Sequence, residues 1–117
     1  MAICLGFAFS ANADGRSCSV YGTSYTATIA SGYTMVSGDD TYCRIDVTAP
    51  EGTPNYNGEY ITVWVNALDR DTNLVVETAK VRIYVERRKT SGSDYAQFRN
   101  LKKGTYYNVS IDSASCE

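Results

Sequence analysis

An all-β antiparallel sandwich of seven to eight strands is the fold class that three features of this sequence predict. Apolar and polar residues alternate over short runs, turn residues separate those runs at regular intervals, and tyrosine stands at ten of 117 residues beside abundant Thr, Ser and Val. Residues of this kind suit a pleated, half-buried surface, and period-two alternation places one side of each run in a core. No window keeps a helical period. Short strands at even spacing bury their apolar faces most simply as two packed sheets. The length suits one domain with a real core and leaves no room for a second.

Residues 1–13, MAICLGFAFSANA, are apolar with small residues at Ala11 and Ala13, the pattern of a secretory h-region and its cleavage site, although no basic n-region precedes them. On that reading a single domain, residues 14–117, starts at Asp14; the competing reading makes Ile3, Leu5, Phe7 and Phe9 a first strand. A short strand is expected over 17–21 and a turn over 22–24. Tyr25, Ala27, Ile29, Tyr33 and Met35 form one alternation broken at Gly32, where a bulge is expected. SGDD at 37–40 is a hairpin signal, followed by a strand over 41–49 with Cys43, Ile45 and Val47 inward. Residues 51–59 form the longest irregular segment. The run 60–68 buries Ile61, Val63, Val65 and Ala67 and turns Tyr60, Thr62, Trp64 and Asn66 outward. After the turn DRDTN come a short piece over 74–77 and a strand over 80–88 with Val81, Ile83 and Val85 inward. The last turn before the corner, 89–94, leads to a strand over 95–101 with Ala96, Phe98 and Leu101 inward.

Residues 98–111, FRNLKKGTYYNVSI, read as strand, tight corner, strand. Leu101 closes an apolar run, Gly104 suits an awkward backbone angle, and Tyr107, Val109 and Ile111 alternate with Tyr106, Asn108 and Ser110. The order Leu101, Gly104, Thr105, Tyr107, Val109 resembles the E–F corner of fibronectin type III domains, whose tyrosine hydroxyl ties back onto the corner backbone. The resemblance implies that the sandwich is immunoglobulin-like, that Tyr107 is the corner tyrosine, and that residues 60–113 supply strands B, C, E and F. The sequence departs from the family at Lys103, where proline is usual, and at Trp64, which has outward parity. The chain stops after the F-like strand, so either residues 17–36 fill the place of strand G or that edge is open to another strand. Transthyretin-like and collagen-adhesin B-type modules share a Gly-Thr-Tyr corner and are the topological rivals.

Cysteine usage points to an oxidising compartment. If Cys4 leaves with the leader, Cys18, Cys43 and Cys116 remain. Cys18 shares parity with Val20, and Cys43 with Ile45 and Val47, so a Cys18–Cys43 bridge is expected, with a Cys18–Cys116 clasp as its rival. Cys116 has the parity of Asn108 and Ser110 and is expected to be exposed, able to link a dimer at an open strand edge.

With no histidine, every His-dependent triad is excluded, and without a close cysteine pair zinc is a poor fit. No cofactor is expected. Asp39, Asp40, Asp46, Glu51 and Glu59 single out no catalytic carboxylate pair, so the chain is read as a non-enzyme. Asp69, Asp71 and Asn73 alternate through one turn, with Glu77 beyond, and offer hard oxygens for calcium against the plainer reading of a polar turn. The basic run at 86–89, with Arg82, Arg99, Lys102 and Lys103, balances an acidic first half; a net charge of −2 argues against nucleic acid. No run approaches the roughly 20 apolar residues needed to span a bilayer. Asn108-Val109-Ser110 fits the glycosylation sequon but falls in a strand. The resulting expectation is a secreted or periplasmic, non-enzymatic module for protein or cell-surface interaction. The alternative is carbohydrate binding through Tyr56, Tyr60, Trp64 and Tyr84, whose flat faces suit sugar rings.

Overall fold

The computed structural model describes residues 15–39, 41–50, 55 and 57–116. The expected leader, the first-strand alternative, Asp40, Glu51 and Tyr56 lie outside the described residues. Among the described residues, eight strands form two antiparallel four-stranded sheets. The first sheet runs in the order β1 (Arg16–Val20), β2 (Thr23–Ile29), β4 (Tyr42–Thr48), β7 (Ser91–Gln97). The second runs β3 (Met35–Ser37), β8 (Tyr106–Cys116), β5 (Glu59–Asp69), β6 (Val75–Val85). The core is the period-two pattern of the sequence made solid. Ile45, Val47, Ile61, Val63, Val65, Ile83, Val85 and Ile111 are all buried between the sheets. Full burial of a Val or Ile side chain contributes roughly 1.5–3 kcal/mol.

Tertiary context rearranges several expected elements. Residues 25–35 are not one bulged strand: the chain turns after β2, with Tyr33 N–H donating to the Ala30 carbonyl at 3.0 Å and Gly32 at φ 91°, and β3 enters the opposite sheet. There Val36 lies opposite Tyr107, so an N-terminal strand fills the edge beside β8. Residues 37–40 are therefore not a hairpin, because β3 and β4 belong to different sheets. The turn packs under the corner instead: Gly38 N–H donates to the Thr105 carbonyl at 2.9 Å, and a Cβ on Gly38 would overlap the Lys102 carbonyl. The pieces expected over 74–77 and 80–88 are one strand, β6, with Val76 as an extra residue between the pairs Ala67–Glu77 and Leu68–Val75. β5 sits between β8 and β6 in its sheet.

The corner itself has the expected bond. Lys102 N–H donates to the Tyr107 hydroxyl at 3.1 Å, Gly104 holds φ 78°, and Leu101 packs half-buried against the core. Tyr107→Phe is expected to cost about 1 kcal/mol by stranding a corner amide. Tyr106→Phe, at an exposed site, should change little. Urea unfolding of both variants checks this, and equal small effects would remove the role of the hydroxyl.

The expected Cys18–Cys43 bridge is not formed; Cys18 is bonded to Cys116, with a Cα separation of 5.5 Å, and Cys43 is a buried free thiol. Two geometric facts decide it. Cys18 lies opposite Tyr25 on β2, and β2 separates β1 from β4. Two interstrand spacings, roughly 9–10 Å, exceed the reach of a disulfide. In β8, Ile111 lies opposite Val65 but Ser113 opposite Trp64, so Asp112 is an extra residue. That bulge reverses the parity of everything after it, turning Ala114 and Cys116 toward the core. Cys116 is thus spent within the chain and does not link a dimer. Beyond β3, β8 is flanked by the tethered β1, whose Arg16 Nε donates to the Asp112 carbonyl at 3.3 Å.

The Cys43 thiol donates to the Tyr33 carbonyl at 3.4 Å, and burial pushes its pKa up to about 12. An unfolded chain loses this proton near the ordinary value of 9.0. The thiol's contribution to stability is therefore intact below that pH and lost as pH rises toward about 12. Over this window stability should fall with a slope steeper by about 1.4 kcal/mol per pH unit than in Cys43→Ala. Parallel slopes in denaturation series of the two proteins would contradict it.

Candidate functional site

The inward run of β5 and β6 fixes what the other face of that sheet presents. Tyr60 lies opposite Tyr84, Thr62 opposite Arg82, Trp64 opposite Lys80 and Asn66 opposite Thr78. The Tyr60 and Tyr84 rings are 4.7 Å apart between centroids, with planes at 40°, and are 40% and 43% exposed. Arg82 places its guanidinium carbon 3.7 Å from the Tyr60 centroid, which is close cation–π geometry. Gly58, at φ 78°, is required beneath this pair, because a Cβ there would overlap the Tyr84 hydroxyl.

Of the predicted aromatic set, the structure thus brings Tyr60 and Tyr84 into contact. Trp64 shares their face but is half-buried and roughly 13 Å farther along the strand. Arg82 completes the cluster and was legible in the sequence only as a surface charge; the signal lay in its register, diagonal to Tyr60 across the β5–β6 pair. Farther along, Thr78 donates to Asn66 Oδ1 at 2.7 Å and Asn66 Nδ2 donates to Asp112 at 3.3 Å, so those polar groups are internally engaged.

A second aromatic group, which parity alone did not assemble, lies on the outer side of the first sheet. Tyr95 makes edge-on contacts with Tyr33 at 6.1 Å and Tyr42 at 6.5 Å, and these three rings line a shallow pocket of about 530 Å³ with Asp94. The neighbouring Arg44–Asp46 ion pair, at 3.0 Å, is surface-exposed and contributes little.

The turn offered for calcium has another occupation. Asp69 Oδ1 accepts from Thr72 N–H at 3.0 Å and Asp71 N–H at 2.8 Å, and these backbone donors hold the Asp69 carboxyl below its ordinary range. Asn73 adopts a left-handed φ of 60° and donates its N–H to the Asp69 carbonyl, while Glu77 accepts from the Arg99 and Asn100 amides at 2.8 and 2.9 Å. Asp69 and Glu77 thus cap backbone, and no group of three His, Cys, Asp or Glu among the described residues is placed to hold a metal. Asn108 lies within β8, opposite Met35 and Leu68. No helix among the described residues is long and apolar enough to cross a membrane. No protein-family model, curated protein or solved structure matches the chain.

Proposed function

We propose that this chain is a secreted or periplasmic, non-enzymatic binding module whose Tyr60–Tyr84–Arg82 face docks a protein or cell-surface partner. The carrying observation is the Arg82 guanidinium 3.7 Å over an exposed Tyr60 ring that already packs against Tyr84. Tyr, Trp and Arg dominate the energetics of protein interfaces, and rings held by neighbours lose little freedom on binding. Lys80 beside Trp64 adds positive charge to the same face and favours an acidic partner. Residues 1–13 and the Cys18–Cys116 bridge support export, and N-terminal sequencing of exported material is expected to begin at Asp14. The docking test uses wild-type chain and a Tyr60→Ala/Arg82→Ala variant as parallel baits. A partner captured by the wild type and lost by the folded variant supports the reading. Equal capture by both would sink the proposed face, and hydrolytic turnover abolished by one carboxylate substitution would sink the non-enzymatic assignment.

Carbohydrate binding is the second reading, and the geometry moves it. Arg82 covers one face of Tyr60, whereas Tyr33, Tyr42 and Tyr95 surround a concavity with Asp94 available for sugar hydroxyls. Affinity electrophoresis against a polysaccharide panel tests it: retardation abolished by Tyr95→Ala but not by Trp64→Ala would place a glycan there.

A further inference from the structure

Where the β1–β2 turn meets the start of β5, a pocket of about 280 Å³ opens between the two sheets, lined in part by Tyr21, Thr23, Tyr25, Asn55, Asn57 and Glu59. Glu59 is out of place by pattern. It occupies the inward parity continued by Ile61, Val63 and Val65, and is only 9% exposed. Among the described residues no hydrogen bond or ion pair engages its carboxylate, and no unpartnered buried side-chain oxygen is sealed in the interior, so the oxygens open into the pocket. An unpaired carboxylate withdrawn from water is costly unless a donor or cation meets it.

The described groups around it do not neutralise it. The Asn55 side-chain amide donates to the Val85, Glu86 and Lys89 carbonyls, and its Oδ1 accepts from Gly58 N–H, so it fixes the wall. Tyr25 is 1% exposed; burial, and then the negative charge of Glu59, raise its phenol pKa, so it remains a neutral ring wall. Tyr21 is 88% exposed at the rim and holds a left-handed φ of 50°, unusual for a bulky residue. A carboxylate between aromatic walls matches an organic ammonium ion. It is a poor match for a hard metal ion, since Glu59 is the one carboxylate among the described residues that line the pocket and no group of three His, Cys, Asp or Glu among them is placed to hold a metal. The volume suits a group the size of one alkylamine.

We propose that Glu59, with Tyr21 and Tyr25 as walls, forms a binding site for an alkylammonium group, supplied by a free amine or by a lysine side chain of a partner. It lies apart from the Tyr60–Tyr84 face in its ligand chemistry and stands or falls separately. The test is an NMR titration of the full chain with n-butylammonium, with n-butanol as the neutral isostere. Saturable shifts at Tyr25, Asn57 and Glu59 are expected with the amine and not with the alcohol. Glu59→Gln should weaken binding about tenfold or more. If that variant fails to fold, Tyr21→Ala at the exposed rim should still weaken it about threefold. Absence of saturable shifts, equal response to butanol, unchanged binding in folded Glu59→Gln, or unchanged binding in Tyr21→Ala would each overturn the site. An acetylated Gly-Lys-Gly amide that binds more tightly than n-butylammonium identifies the source as a partner's lysine, and equal affinity identifies a free amine.

Discussion

Reducing the Cys18–Cys116 bridge is expected to destabilise the domain by about 4 kcal/mol, because closing a loop of this length removes a large share of the unfolded chain's freedom. The two cysteines are separated by 98 residues, and the bridge joins β1, at the edge of one sheet, to the end of β8 in the other. Among the described residues β1 pairs with one strand, β2, so the bond also holds β1 against the β8 flank. Paired denaturant curves, oxidised and reduced, with Cys18→Ser/Cys116→Ser as the reagent-free control, measure the difference. Coincident midpoints would show that the bridge is dispensable. Peptide mapping without reductant should recover the Cys18 and Cys116 peptides linked; a Cys18–Cys43 linkage would overturn the assignment.

Asn55→Ala is the second large effect, expected at about 3 kcal/mol, since it strips a partner from one buried and two part-buried carbonyls at once. The Asn55 amide lies 3.3, 2.9 and 3.3 Å from the carbonyls of Val85, Glu86 and Lys89, and its oxygen receives the Gly58 amide at 3.0 Å. Its own carbonyl accepts from Arg88 N–H at 2.7 Å, a bond that survives the substitution. One 6%-exposed side chain therefore pins the segment entering β5 to the turn between β6 and β7. Asn55→Asp should be at least as damaging, because a carboxylate would face three carbonyl oxygens. The same substitutions loosen a wall of the Glu59 pocket and the Gly58 seat beneath Tyr84, so both binding proposals predict weaker binding in any Asn55 variant that still folds. Urea unfolding with a loss below 1 kcal/mol would show that water replaces the amide.

Strand periodicity and the corner were legible in the sequence because both are local. Alternation at Ile61, Val63, Val65 and Ala67, or at Cys43, Ile45 and Val47, follows from the pleat alone, whichever strand lies alongside. The Tyr107 corner spans six residues, and its hydroxyl needs no distant partner. The outward orientation of Tyr60 and Tyr84 followed from the same pleat.

Sheet membership, bulges and register were decided only by tertiary structure, because each depends on which strand packs beside which. Residues 35–37 look like the tail of one strand, and only the vacancy beside β8 draws them into the other sheet. Cys116 has outward parity by counting, and one extra residue at Asp112, visible only against β5, turns it inward to Cys18. The Arg82–Tyr60 contact required the β5–β6 register. Glu59 looked like a loop carboxylate until the inward row of β5 was extended one step back to the mouth of the core, where a charged side chain meets no partner among the described residues and a pocket opens beside it.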